Sequence, residues 1–126
     1  MGFLPVDAAD ALTEGEIDYR LARQSVLRRY REGELSRHDV CDAHPELIRA
    51  GLEYSTPAAQ TCPVCEAHQL AHVSYVFGPR LPSHGRCVNS DAELERIRKR
   101  KGAFTCYVVE VCAGCRWNHL RRAYLL

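Results

Sequence analysis

No stretch of this 126-residue chain approaches the roughly 18 consecutive apolar residues of a membrane span. Met1 to Asp18 carry neither Lys nor Arg and no long apolar run, so no secretory signal is expected there. The cysteines number seven, an odd count that excludes complete internal disulfide pairing. No low-complexity segment occurs. There is also no nucleophile elbow, phosphate-cradling glycine loop, HExxH or pair of catalytic carboxylates. Together these absences favour a reduced, cytoplasmic protein that is not an enzyme. They leave no membrane partner and no small-molecule substrate to expect.

What is present is a matched pair of cysteine hooks, Cys62-Pro63-Val64-Cys65 and Cys112-Ala113-Gly114-Cys115. Two residues between thiolates make a tight turn that puts both sulfurs on one side, about 2.3 Å from a shared ion. Gly114 suits such a turn because glycine accepts positive φ. Two hooks in one short chain predict one structural Zn²⁺ held by Cys62, Cys65, Cys112 and Cys115. Four thiolates leave no open position for water, which argues against metal catalysis. A small domain gains much from such a site, since structural zinc in finger peptides binds with roughly 10–16 kcal/mol.

Other readings of the thiols are weaker. Cys62-Pro63-Val64-Cys65 superficially resembles the C-P-x-C of glutaredoxin-like enzymes, but a strand pattern follows it where those enzymes have a helix. Cys41 and His44 form a C-x-x-H that could join the first hook; the plainer reading is a small buried thiol and a helix-end polar group. His119, four residues after Cys115, is a possible substitute ligand. Cys106 reads as core and Cys87 as a free loop thiol. His68, His72 and His84 show no ligand spacing and read as surface residues.

Along the chain, residues 1–16 read as a flexible acidic tail. Residues 17–54 read as helical. Tyr19, Ala22, Val26 and Tyr30 make one apolar face between Ile17 and Arg31. Ser36 to Asp39 form a capping box, and Pro45 opens a further helix bearing Leu47, Ile48 and Leu52. Tyr54 to Thr61 reads as a linker. Residues 55–126 read as the hook-bearing region. Strands are expected over Leu70–Phe77, Phe104–Val111 and Trp117–Leu125. A helix inserted at about 91–101 opens on a second capping box, Ser90 to Glu93. The expectation is an α+β fold: an N-terminal helical hairpin packed on a C-terminal zinc ribbon, a small antiparallel sheet with an inserted helix.

A formal net charge of +1 conceals an uneven distribution. Five acids fall in residues 1–18. From Arg96 onward Arg96, Arg98, Lys99, Arg100, Lys101, Arg116, Arg121 and Arg122 face Glu110 alone. This basic half is a candidate surface for a polyanion or an acidic protein. A solvated surface, and a favourable helix dipole at 96–101, explain the same charges without function. Tyr75, Phe77, Trp117 and Tyr124 could stack bases as in single-strand binders, or form the core.

Three segments carry a resemblance: Asp39-Val40-Cys41-Asp42-Ala43-His44-Pro45-Glu46-Leu47, the first hook, and Phe104 through Cys112 to Trp117-Asn118-His119-Leu120. Over Asp18 to Leu126 the chain resembles an uncharacterised actinobacterial family of short proteins, a domain of unknown function. The resemblance implies a cytosolic zinc-ribbon protein and no assigned activity. By analogy with ribbons in transcription or translation machinery, the expected role is a non-enzymatic binding module with a macromolecular partner. A protein-protein adaptor without nucleic-acid contact is the alternative.

Overall fold

The structure is a computed structural model and describes residues 15–126. The expected tail, residues 1–16, lies outside the described residues except for Gly15 and Glu16. The elements run β1 (Ile17–Asp18), α1 (Arg20–Arg31), α2 (Arg37–Val40), α3 (Pro45–Glu53), β2 (Thr56–Thr61), β3 (Gln69–Phe77), β4 (Arg86–Val88), α4 (Asp91–Arg98), β5 (Thr105–Val111) and β6 (Asn118–Leu125). The strands form one antiparallel sheet in the order β1-β6-β5-β3-β2. The far edge is shared: β2 pairs the first half of β3 and β4 its second half. This is a mixed fold of helices and an antiparallel sheet.

Strand period fixes which residues share a face. In β3 and β5, Leu70, Val76, Cys106, Val108 and Glu110 look one way, and Ala71, Val73, Tyr75, Tyr107, Val109 and Val111 the other. Helix α4 covers one end of the first face, where Ile97 and Leu94 pack on Val76, Val88, Cys106 and Val108. Helices α1 and α2 bring Leu27 and Val40 to a second cluster with Leu70, Trp117, Cys62 and Cys112. Helix α3 sits on the opposite face, with Ala50, Leu47 and Ile48 against Val73 and Val111. The two longer N-terminal helices therefore belong to separate clusters: α1 packs on β6, and α3 on β3 and β5. The second face is covered by α3 only in part.

Local chemistry sets the helix starts. At α2 both capping-box bonds form: the Ser36 hydroxyl accepts from Asp39 N at 3.1 Å, and the Asp39 carboxylate accepts from Ser36 N at 2.8 Å. At α3 Pro45 occupies the first turn and His44 Nδ1 accepts from Glu46 N at 3.0 Å. At α4 Ser90 caps Glu93 N, but the Glu93 side chain turns to Arg86 at 2.6 Å instead of back to the cap. An ion pair to β4 has taken the second half of that box.

Two segments differ from the sequence reading. Helix α1 begins at Arg20, because Ile17 and Asp18 pair with Ala123 and Arg122 on the edge of β6. The Asp18 carboxylate then accepts from Arg20 N at 2.7 Å and starts the helix. The expected linker contains strand β2; an edge position and a register shift between Pro57 and Thr61 accommodate its proline. Cys87 lies in β4 opposite Tyr75 and not in a loop. The C-terminal segment is a strand, as expected.

Candidate metal centre

The first hook is the turn of hairpin β2–β3, and the second is the turn of hairpin β5–β6. Strands β3 and β5 pair antiparallel with Ala71 opposite Val111. The start of β3 and the end of β5 therefore fall at the same end of the sheet, and the two turns meet there. This is what brings together two hooks whose cysteines Cys65 and Cys112 are 47 positions apart in the chain.

The turns are built alike. Cys62 N donates to His68 O at 2.8 Å and Cys112 N donates to Trp117 O at 2.8 Å, closing each hairpin. Glu66 N donates to Cys62 O, and Arg116 N to Cys112 O. Both Glu66 and Arg116, each following the second cysteine of its hook, take positive φ (56° and 78°). The left-handed residue is thus not Gly114. Gly114 serves a different need: a Cβ there would lie 2.3 Å from His68 Nδ1. Its absence lets the imidazole of one hook rest on the backbone of the other.

The Sγ atoms of Cys62, Cys65, Cys112 and Cys115 all lie within 4.8 Å of one another. Two edges of this figure are 3.6 Å (Cys62–Cys115) and 3.7 Å (Cys65–Cys112). A tetrahedron of sulfurs at a zinc–thiolate bond length has edges of about 3.8 Å, so these two edges are of the size a single bound metal ion requires. Cys62 and Cys112 are buried, and Cys65 and Cys115 half-buried. Amides point at the sulfurs: Val64 N to Cys62 Sγ at 3.4 Å, Ala67 N to Cys65 Sγ at 3.5 Å, and Cys115 N to Cys112 Sγ at 3.4 Å. Such donors offset thiolate charge. Burial pushes the Cys62 and Cys115 thiols up to about 12. Burial acts the same way on Cys65, but His68 and the amides of Ala67 and His68 outweigh it and hold that thiol at about 6.

Three further side chains stand around the cluster and its packing. His68 Nδ1 stands 3.6 Å from Cys65 Sγ. Cys41 Sγ stands 3.6 Å from Cys115 Sγ, although it is not one of the mutually close four. Glu110 is a fully buried carboxylate, holding Trp117 Nε1 at 2.6 Å, Arg23 Nε at 2.7 Å and Arg121 at 3.3 Å. His68 lies beside Cys65 by local sequence, three residues on, whereas tertiary packing sets Cys41 against Cys115 of the second hook and not against the first; the lone acid in the basic half was the available hint for Glu110. His44 is a helix cap and His119 stacks on Trp117 at 6.0 Å, so neither joins the four sulfurs.

The candidate polyanion residues divide into two groups. Arg116 donates through Nε and Nη2 to Ala43 O. Arg121 serves Glu110, Arg122 pairs with Glu16 and lies 4.6 Å over Tyr124, and Arg98 pairs with Glu95. Arg96, Lys99, Arg100 and Lys101 are exposed and have no carboxylate partner among the described residues. Of the aromatic candidates, Trp117 is fully buried and Tyr124 packs with the α4 cluster. Tyr75, Phe77 and Tyr107 instead line an open groove of about 530 Å³ on the sheet face beyond α3. Phe77 meets Tyr107 edge-on there at 5.4 Å.

Residues 12–126, which include both hooks, match the model of a family of unknown function, DUF5318. The chain belongs to this family. Among curated proteins it is similar to the uncharacterized protein Rv0049 of Mycobacterium tuberculosis and the uncharacterized protein Mb0050 of Mycobacterium bovis. Each is 39% identical over 110 residues, covering 87% of this chain and 80% of the relative. No solved structure matches. The actinobacterial resemblance read from Asp39–Leu47 and the hooks is thereby borne out. Among the described residues no helix is long and apolar enough to cross a membrane.

Proposed function

We propose that the four cysteines hold one structural Zn²⁺, that the paired hairpins are a zinc ribbon, and that the domain is a non-enzymatic binding module. The observation that carries this reading is the meeting of the two hairpin turns, which gathers four sulfurs within 4.8 Å of one another with two edges close to those of a zinc–thiolate tetrahedron. Four soft thiolates in tetrahedral array select Zn²⁺ among abundant divalent ions. All four positions are then filled by protein, which suits a clamp and not a catalyst. Thiolate ligation also fits a reducing, cytoplasmic setting.

Metal analysis of protein purified without added metal should return about one zinc per chain. Cys62→Ser or Cys112→Ser should release it and unfold the hook end of the sheet. Full retention in both variants would remove the assignment.

The partner we favour is a nucleic acid or nucleoprotein, met by Arg96, Lys99, Arg100 and Lys101. That no carboxylate among the described residues pairs with them supports this, since their exposed charge stays available to a polyanion. Binding should weaken steeply with salt. Replacing Lys99, Arg100 and Lys101 by Ser should lower the slope of log affinity against log salt by about 2. A salt-independent affinity, or a stoichiometric protein complex that survives nuclease, would favour the adaptor reading.

A further inference from the structure

We infer that Cys41 and Cys115 form an oxidant-sensitive pair, a modification site at which a hydroperoxide converts one zinc ligand into a disulfide and discharges the metal. This rests on the proposed zinc reading and adds its regulation.

The geometry is specific. Cys41 Sγ lies 3.6 Å from Cys115 Sγ, as close as Cys115 lies to its fellow ligand Cys62. Cys41 is held there, since its segment is strapped to the second hook. Ala43 N donates to Arg116 O at 3.1 Å, Arg116 Nη2 donates back to Ala43 O at 2.8 Å, and Asn118 Nδ2 donates to Asp42 Oδ1 at 3.0 Å. Cys41 also ends α2, whose Val40 packs in the cluster around Trp117. With four thiolates on the metal, Cys41 is the one thiol in contact with the centre that the metal does not occupy. Cys87 and Cys106 belong to other clusters. Both members of the pair are half-buried, so a small oxidant has access.

The chemistry balances in two steps. The Cys115 thiolate attacks one peroxide oxygen; the O–O bond breaks, Cys115 becomes a sulfenic acid and hydroxide leaves. The Cys41 sulfur then attacks the sulfenic sulfur; the S–O bond breaks, a disulfide forms, and the Cys41 proton leaves with hydroxide as water. Two electrons pass from the two thiols to the peroxide. Closing the pair to a disulfide length of about 2.05 Å needs an approach of about 1.5 Å. With Cys115 taken into the disulfide, only Cys62, Cys65 and Cys112 remain to hold the ion, and its affinity falls enough for release.

The test uses the full zinc-loaded chain, hydrogen peroxide as oxidant and a chromogenic chelator to time zinc release. Wild type, Cys41→Ser and Cys87→Ser are compared after their starting zinc contents are shown equal, and the disulfides are then mapped by peptide mass spectrometry. The expected result is a Cys41–Cys115 linkage in wild type and in Cys87→Ser. Release should be at least about fivefold slower in Cys41→Ser, and reductant with zinc should restore the metal. Equal release rates in wild type and Cys41→Ser, or disulfides confined to Cys62–Cys65 and Cys112–Cys115, would overturn the inference. Failure of the zinc reading itself would show separately, as no zinc in any starting sample.

Discussion

Glu110 is the group whose loss should cost this domain most outside the four-cysteine cluster. Its side chain is fully buried, and it accepts from Trp117 Nε1 at 2.6 Å and Arg23 Nε at 2.7 Å, with Arg121 at 3.3 Å. Breaking a buried ion pair by removing one partner costs about 3–5 kcal/mol, because a charge is left without compensation. The two arginines are not equally stranded. Arg121 is 30% exposed and can turn to water, whereas Arg23 is 16% exposed. The Trp117 N–H has no access to water at all, and an orphaned buried donor costs about 1–3 kcal/mol. For Glu110→Ala the sum, discounted for Arg121, comes to about 4 kcal/mol. That is a large share of the roughly 5–15 kcal/mol that holds an ordinary domain together.

The assay is urea unfolding of zinc-saturated protein, followed by fluorescence of Trp117, the single tryptophan. With a slope of about 2 kcal/mol per molar urea, the Glu110→Ala midpoint should fall by about 2 M. Glu110→Gln keeps an acceptor for Trp117 and should lose about half as much. Arg23→Ala should lose less than Glu110→Ala, since the carboxylate keeps Trp117 and Arg121. A loss below about 1 kcal/mol for Glu110→Ala would refute the reasoning, because it would mean that water reaches this carboxylate in the folded protein.

Two glycines make a paired prediction. A Cβ at Gly78 would sit 2.9 Å from Ala103 O and 2.3 Å from the ring of Phe104, which is 3% exposed. Neither can yield, so Gly78→Ala should cost about 2 kcal/mol or more in the same unfolding assay. Gly114→Ala meets first the exposed His68 ring, which can swing away; it should cost about 1 kcal/mol or less and leave any metal content unchanged. A reversed order would show that the hook end is the more rigid of the two. A third prediction concerns acid. Burial, and then the nearby Arg121 charge, hold His72 below its ordinary value, and its Nε2 is buried without a hydrogen-bond partner. The unfolded chain therefore binds the proton more readily, so stability present above about pH 6.5 is lost as pH falls below it. His72→Gln should flatten the pH 7 to pH 5 limb of stability relative to wild type. Superimposable limbs would exclude His72 as its source, and acid-driven metal loss, common to both proteins, cancels in the comparison.

The hooks could be read from sequence because their chemistry is local: two residues between cysteines fix a turn whatever surrounds it. The same holds for the Ser36–Asp39 box, whose bonds span three residues. The misplaced pieces depend on distant partners. Thr56–Thr61 has the composition of a linker and becomes a strand only because the edge of β3 accepts it. Ile17–Asp18 becomes a strand because β6 offers a free edge beyond Ala123. Glu93 caps nothing with its carboxylate because Arg86, seven residues upstream, offers a charged partner. The centre follows the same rule. Spacing finds the four cysteines and offers Cys41 only as a partner of the first hook; the strap at Ala43–Arg116 instead sets Cys41 against Cys115, and the open backbone of Gly114 lets His68, local to Cys65, rest on the second hook. It also divides the basic half wrongly, since Arg116 and Arg121 look like Arg100 and Lys101 until Ala43 O and Glu110 claim them. Tertiary structure, more than spacing, therefore decides which side chains are left available. They are the exposed cations from Lys99 to Lys101, which no carboxylate among the described residues pairs, and the thiol of Cys41, which meets Cys115 from outside the four-sulfur cluster.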